Sequence, residues 1–390
     1  MLIKTLEKFV RFFCKLIPKK EKRIVYHSFP DFSDNSFAMF VYISNQFVEY
    51  ENIWLVKDVS IKEKYFKLAS NYTKKDNFLV IKKNSLKGIY YYLTAKTIFH
   101  THGLFNFFGL NNLQKKINLW HGMPLKKVGY LDRPNSKSVI TSDYHLATSP
   151  FYQEMISKIF RAPKETVLIV GQPRNDFIFD NTIGINELFN KQKEYKKTVL
   201  WMPTYRKSVI GDIRTDGSLS PEIDFLSKQS LVKINKIFKK FDSVCYLKIH
   251  PMDFMKTKHF KKYSNIDFIE NEDFVKRGVS MYSILNSIDV LLTDFSSIYI
   301  DFLLLNKPVG FVFSDYEEFN STRGFIFENP QKYMAGEVMT EIDQLEHFLN
   351  EVIVHDNDEF ANKRKRIKDL FHSKINDYSK LTCKKVLRNV

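Results

Sequence analysis

Short apolar runs recur along this chain, most of them continuous, and longer stretches with helical spacing separate them. The runs at 23–28, 53–56, 78–81, 97–100, 117–121, 145–148 and 167–170 predict a first series of strands. After the lysine-rich stretch 191–197 the rhythm restarts at 198–202, 244–250, 266–269, 290–293 and 309–313. Continuous apolar runs suit parallel strands buried on both faces, and their alternation with helices predicts βαβ units. The expected fold class is therefore α/β, with two Rossmann-type doubly wound domains facing a cleft. The boundaries fall at 21–190 and 191–375, followed by a C-terminal tail, 376–390. The charged stretch 362–368 reads as a solvated helix.

Ahead of the first strand, Leu2, Ile3, Leu6, Phe9, Val10, Phe13, Leu16 and Ile17 recur at helical spacing, and Pro18 ends the segment. The opposite face carries Lys4, Glu7, Lys8, Arg11 and Lys15. Residues 1–20 are thus expected to form a basic amphipathic helix suited to an anionic membrane surface. The same pattern also fits a helix packed on the protein's own core with its charges solvated.

Charge and composition narrow this picture. The 390 residues carry a formal net charge of +16, which favours anionic partners without choosing among them. Residues 1–23 hold eight lysines and arginines against Glu7 and Glu21, so that segment supplies +6 of the total. Cys14, Cys245 and Cys383 show no metal or disulfide spacing and read as reduced thiols of a cytosolic protein. No run reaches the ~18 apolar residues of a spanning helix, and no signal-peptide pattern fits.

Ligands of open α/β sheets bind beyond the carboxyl ends of strands, and several polar motifs fall there. In NLWHGMPLKKVG (118–129) an apolar run delivers His121 beside Gly122, with Lys126 following. A histidine so placed suits a general base, because its ordinary pKa is about 6.5. A histidine hydrogen-bonded within its own loop fits the spacing equally well. YLKIHPMD (246–253) delivers a second strand-end histidine, His250, for which a buried structural role is the other reading. After the run 290–293 come Asp294, Ser296 and Ser297, a serine-rich turn opening a helix and suited to phosphate; ordinary N-capping is compatible with that. GQPRND (171–176) and MPTYR (202–206) place Arg174, Thr204 and Arg206 after strands. Arginine forks bind phosphate oxygens, though either arginine could be a surface ion-pair residue. The polar loop 29–37 also points at the cleft.

Several signatures are missing. The chain has no GxGxxG, no GxxxxGK[ST] and no GxSxG. His100 and His102 form an isolated HxH, read as cleft-lining or structural. The single DxD, Asp356 to Asp358, lies in a charged C-terminal segment, which argues against metal-dependent sugar transfer.

Taken together, these motifs resemble the CDP-glycerol glycerophosphotransferase family, the teichoic acid primases and polymerases. WHGMPLKKVG is similar to the family's WHGTPLKxxG block, GQPRND to GxPRND, LKIHP to LKxHP, and TDFSSIYIDFLLLNKPV to TDYSSxxFDFxxxxKP. Met123 replaces the usual Thr, and the family's PGP-like loop appears as Met334, Ala335, Gly336 and Glu337. The resemblance implies a GT-B-like fold, with 21–190 on the acceptor side and 191–375 binding a CDP donor. It implies metal-independent transfer of glycerol phosphate or ribitol phosphate from CDP-glycerol or CDP-ribitol, without cofactors. The acceptor would be an undecaprenyl-diphosphate-linked saccharide, in teichoic acid or capsule synthesis, at the cytoplasmic side of the membrane. By motif match, His121 would deprotonate the acceptor hydroxyl and His250 would bind the donor diphosphate, with Ser296, Ser297 and Arg206 nearby. Nucleic acid is not an expected partner. A nucleotide-sugar transferase of the same architecture is the alternative, and a non-catalytic basic binding protein a remote one.

Overall fold

The computed structural model describes residues 14, 16–74, 77–136, 139–179, 183–204, 224–248, 263–313, 316–374 and 376–387. Residues 1–13 and 15, which carry most of the N-terminal helical pattern, and Arg206 and His250 lie outside the described residues.

Two parallel sheets carry the fold. The first contains β1 (Lys20–His27), β2 (Glu51–Val56), β3 (Phe78–Lys82), β4 (Ala95–His100), β5 (Lys115–Asn118), β6 (Tyr144–Ala147) and β7 (Val167–Ile169), in the order β3-β2-β1-β4-β5-β6-β7. The second contains β8 (Lys197–Met202), β9 (Ser243–Lys248), β10 (Ile266–Ile269), β11 (Val290–Thr293), β12 (Val309–Val312) and β13 (Glu337–Met339), in the order β10-β9-β8-β11-β12-β13. Each sheet begins 3-2-1-4, the Rossmann arrangement, so each has a topological switch point, the place where open α/β sheets bind ligands. These points lie at β1/β4 and at β8/β11.

Burial explains why the strands read as continuous apolar runs. On β1, Ile24 and Tyr26 pack into one apolar cluster while Val25, between them, packs into another on the opposite face. Leu291 of β11 is likewise flanked by Val290 and Leu292, which face the other way. Strand β13 did not register as a strand in the sequence, because only three residues pair, and they include Glu337.

One of the apolar clusters joins the two domains. A single apolar cluster includes Met123, Leu125 and Ile178 of the first domain with Phe295, Ile298 and Leu291 of the second. The segment 376–390 also contributes. Its helix Tyr378–Val386 returns to the first domain, where Cys383, Val386 and Leu387 pack with Phe37 and Phe177. The stretch 362–368 lies in the helix Ala361–Phe371, but Arg364 there is fully buried and pairs with Asp358, so that helix is only partly solvated.

Candidate active site

On the first domain, β5 ends at Asn118, short of the apolar run's end at 121. The Asn118 side chain is the reason: its Oδ1 accepts a hydrogen bond from the Trp120 backbone N–H at 3.0 Å and turns the chain out of the sheet. Trp120 then adopts a φ of +57°, an uncommon conformation for a bulky residue that persists only where surroundings enforce it. Asn35 does so, donating from Nδ2 to the carbonyls of Leu119 (3.3 Å) and Trp120 (2.9 Å).

His121 leaves this turn half-buried between two rings. His102 stacks on it with centroids 4.1 Å apart and planes 14° apart, and Trp120 lies against it at 4.0 Å. Its Nδ1 lies 3.4 Å from the Thr101 carbonyl oxygen. A carbonyl can only accept, so Nδ1 carries the proton and Nε2 of the neutral ring keeps its lone pair. Burial pushes the His121 pKa down to about 4, against the hydrogen bond to Thr101 and with help from the Arg174 and Lys126 charges. The ring is therefore neutral at pH 7. His102 is also held well below its ordinary value, chiefly by burial and then by His121. His100 is engaged within the fold: its Nδ1 accepts from Gly103 N–H at 3.1 Å, and its Nε2–H donates to Ser142 Oγ at 2.9 Å.

On the second domain, the ends of β8 and β11 are tied at the switch point. Thr204 donates from its backbone N–H to Asp294 Oδ2 at 2.8 Å and from its hydroxyl to Oδ1. Thr293 Oγ1 donates to the Met202 carbonyl at 2.8 Å. Asp294 is buried and holds Thr204 just beyond the end of β8. Ser296 and Ser297 follow, half-buried, at the start of the short helix Ile298–Phe302, where the Ser297 hydroxyl makes no capping hydrogen bond.

The two sets meet at Gly122. Its φ is +138°, and a Cβ there would collide with the Ser297 side chain and lie 3.0 Å from Arg174 Nη2. Only glycine allows so close an approach. The chain then crosses to the second domain: Ile326 N–H donates to the Leu125 carbonyl at 2.9 Å, and Lys127 N–H to the Gly324 carbonyl at 3.0 Å. Lys126, half-buried between them, forms a backbone bridge with Phe325.

Arg174 departs from its expected role. Its guanidinium is 2 % exposed and pairs with Asp34 at 2.7 Å and Asp301 at 2.6 Å. The fork expected to take phosphate takes protein carboxylates, which have the same planar geometry. Three residues not singled out in the sequence emerge here. Asn35 and Asp34 belong to the polar loop 29–37, the one signal that pointed to them. Asp176, the last residue of GQPRND, accepts the backbone N–H groups of Tyr378 (2.8 Å) and Ser379 (2.9 Å), capping the returning C-terminal helix. Among the described residues, no three His, Cys, Asp or Glu side chains come together as a metal site.

Two Rossmann-like domains whose strand ends meet in this way define a GT-B-like fold. The model of the CDP-glycerol:poly(glycerophosphate) glycerophosphotransferase family matches residues 9–389, and the chain belongs to that family. It is an enzyme of the class that transfers phosphate-containing groups. It is 26 % identical over 337 residues to a teichoic acid poly(glycerol phosphate) polymerase of Bacillus spizizenii, covering 80 % of this chain and 79 % of that one. A teichoic acid glycerol-phosphate primase of Bacillus subtilis is 25 % identical over 280 residues, 66 % of this chain and 67 % of the relative. The wall teichoic acid polymerase TagF superposes with a TM-score of 0.73 at 20 % identity, over 98 % of this chain and 92 % of that one. That last likeness is one of fold.

Proposed function

We propose that this enzyme transfers glycerol phosphate, or ribitol phosphate, from a CDP-polyol to a hydroxyl of a lipid-linked glycan in teichoic acid or capsular polymer synthesis. The observation that carries the reading is the contact of Gly122 with Ser297. It sets a neutral histidine with an available Nε2 on one domain beside a serine turn at the start of a helix on the other.

In this reaction the acceptor oxygen attacks the distal phosphorus of the donor while His121 Nε2 takes its proton. A new P–O bond forms, the bridging P–O bond breaks, and CMP leaves with the electron pair. Such chemistry depends on positioning and charge stabilisation more than on covalent help from the protein. Ser296, Ser297 and His250 are assigned to the donor diphosphate, with Arg206 nearby. Lys126 is assigned to phosphate on the acceptor side, and Asp294 and Thr204 to shaping the donor pocket. No metal or other cofactor is given a step.

We assign the enzyme to the cytoplasmic face of the membrane as a peripheral protein. None of the described helices is long and apolar enough to cross a bilayer. Support for surface docking comes from the root of the basic N-terminal segment. The Cys14 carbonyl accepts from Asn111 Nδ2 there, and exposed Leu16, Leu110 and Leu113 lie in the same two segments. Leu16 is 62 % exposed. An exposed apolar patch next to a segment rich in lysine and arginine suits anionic headgroups.

Donor screening tests the reading. With a lipid-disaccharide acceptor analogue, CMP release from CDP-glycerol or CDP-ribitol is expected, and UDP release from UDP-sugars is not. Turnover of a UDP-sugar alone would replace this reading with sugar transfer.

A further inference from the structure

Arg174 joins three pieces of chain that are far apart in sequence. Nη1 donates to Asp34 Oδ1 at 2.7 Å and to the His121 carbonyl at 2.9 Å. Nη2 donates to Asp301 Oδ2 at 2.6 Å. The ring of Tyr282 lies 4.5 Å from the guanidinium carbon. The Arg174 backbone N–H donates to Asn35 Oδ1 at 3.0 Å, and the same Asn35 side chain holds the Trp120 turn.

Asp301 and Tyr282 belong to the second domain, and Asp301 sits in the helix Ile298–Phe302 that begins at the serine turn. One planar group therefore holds the backbone of His121 and the helix behind Ser297 at once. Burial raises the Asp301 carboxyl above its usual range, and the Arg174 charge opposes that shift. Removing Arg174 would leave the Asp301 carboxyl buried without its counterion, whereas removing Asp301 would leave Arg174 held to the first domain by Asp34 alone. Because the guanidinium fork is rigid, the tie also defines a distance.

We propose that Arg174 is a positioning residue: through its bridge to Asp301 it sets His121 at a defined spacing from the Ser296 and Ser297 turn of the other domain. The inference rests on the reading of His121 as the base and of that turn as the donor contact. A lysine keeps the charge but cannot span His121 and Asp301 with a planar fork. Misplacement of a catalytic group by about 1 Å is enough to cost about 100-fold in rate.

The test uses the full chain with Arg174→Lys and Asp301→Asn, the second as insurance if the first folds poorly. CMP release per folded molecule is expected to fall about 10-fold or more in kcat, with KM for CDP-glycerol changed less than about 3-fold. A purely structural residue would lower thermal stability and leave kcat per folded molecule unchanged, which would overturn the proposal. A direct phosphate contact would raise KM and spare kcat, and would overturn it too. A second readout needs no turnover: the histidine ring NMR signals of His121 are expected to shift in Asp301→Asn, although Asp301 lies on the other domain. Unshifted signals would overturn the proposal. Absence of turnover in the wild type with every CDP-polyol would count against the functional reading and leave this second readout to decide.

Discussion

His121 owes its chemical state to neighbours that sequence spacing does not reveal. The Thr101 carbonyl accepts from Nδ1–H, His102 covers one ring face, and burial lowers the pKa to about 4. A base with a depressed pKa stays unprotonated as pH falls through the ordinary histidine value and is lost only towards the lower one. Thus kcat/KM should be flat from about pH 8 down to about pH 5.5, with any acid limb nearer 4. A pH profile of kcat/KM checks this, and a limb centred near 6.5 would contradict the lowered pKa of His121. The strand-end placement of His121 and the glycine beside it were legible in the sequence. The role of Arg174 was not. An arginine after a strand offers the same fork to a phosphate and to a carboxylate, and its deciding partners, Asp34 and Asp301, are 140 and 127 residues away.

At the scale of elements, parallel strands buried on both faces declare themselves as apolar runs, so twelve of the thirteen strands among the described residues were visible. The ends were less clear. Asn118 stops β5 by accepting from Trp120, a local side-chain effect that an apolar run conceals. The helix Tyr378–Val386 shows the same limit. Nothing near it in sequence indicates that its N-terminus is capped by Asp176, some 200 residues earlier, or that Gly171 lies so close that a Cβ would strike the Tyr378 ring. Two orphan N–H groups at a helix N-terminus meeting one carboxylate make a strong cap. Asp176→Ala should cost about 1–2 kcal/mol in urea unfolding. A change within about 0.3 kcal/mol would mean that apolar packing of Cys383, Val386 and Leu387 alone holds the helix.

At the scale of the molecule, the described residues form two Rossmann-like sheets whose domains are locked together beyond their strand ends. The lock is an apolar cluster running through both domains, the backbone crossing at Leu125 to Lys127, and the Arg174 bridge. Sequence rhythm gave away the two sheets and the family motifs; the closeness of their meeting at Gly122 and Ser297 needed the fold. That meeting makes His121 the group on which the proposed transfer depends. The most direct measurement is single-turnover CMP release from CDP-glycerol and CDP-ribitol, with a lipid-disaccharide acceptor, in wild type and His121→Ala. The account predicts that the variant binds the donor with a Kd within about 3-fold of wild type and releases CMP about 10²–10⁴-fold more slowly. Release at close to the wild-type rate would contradict it.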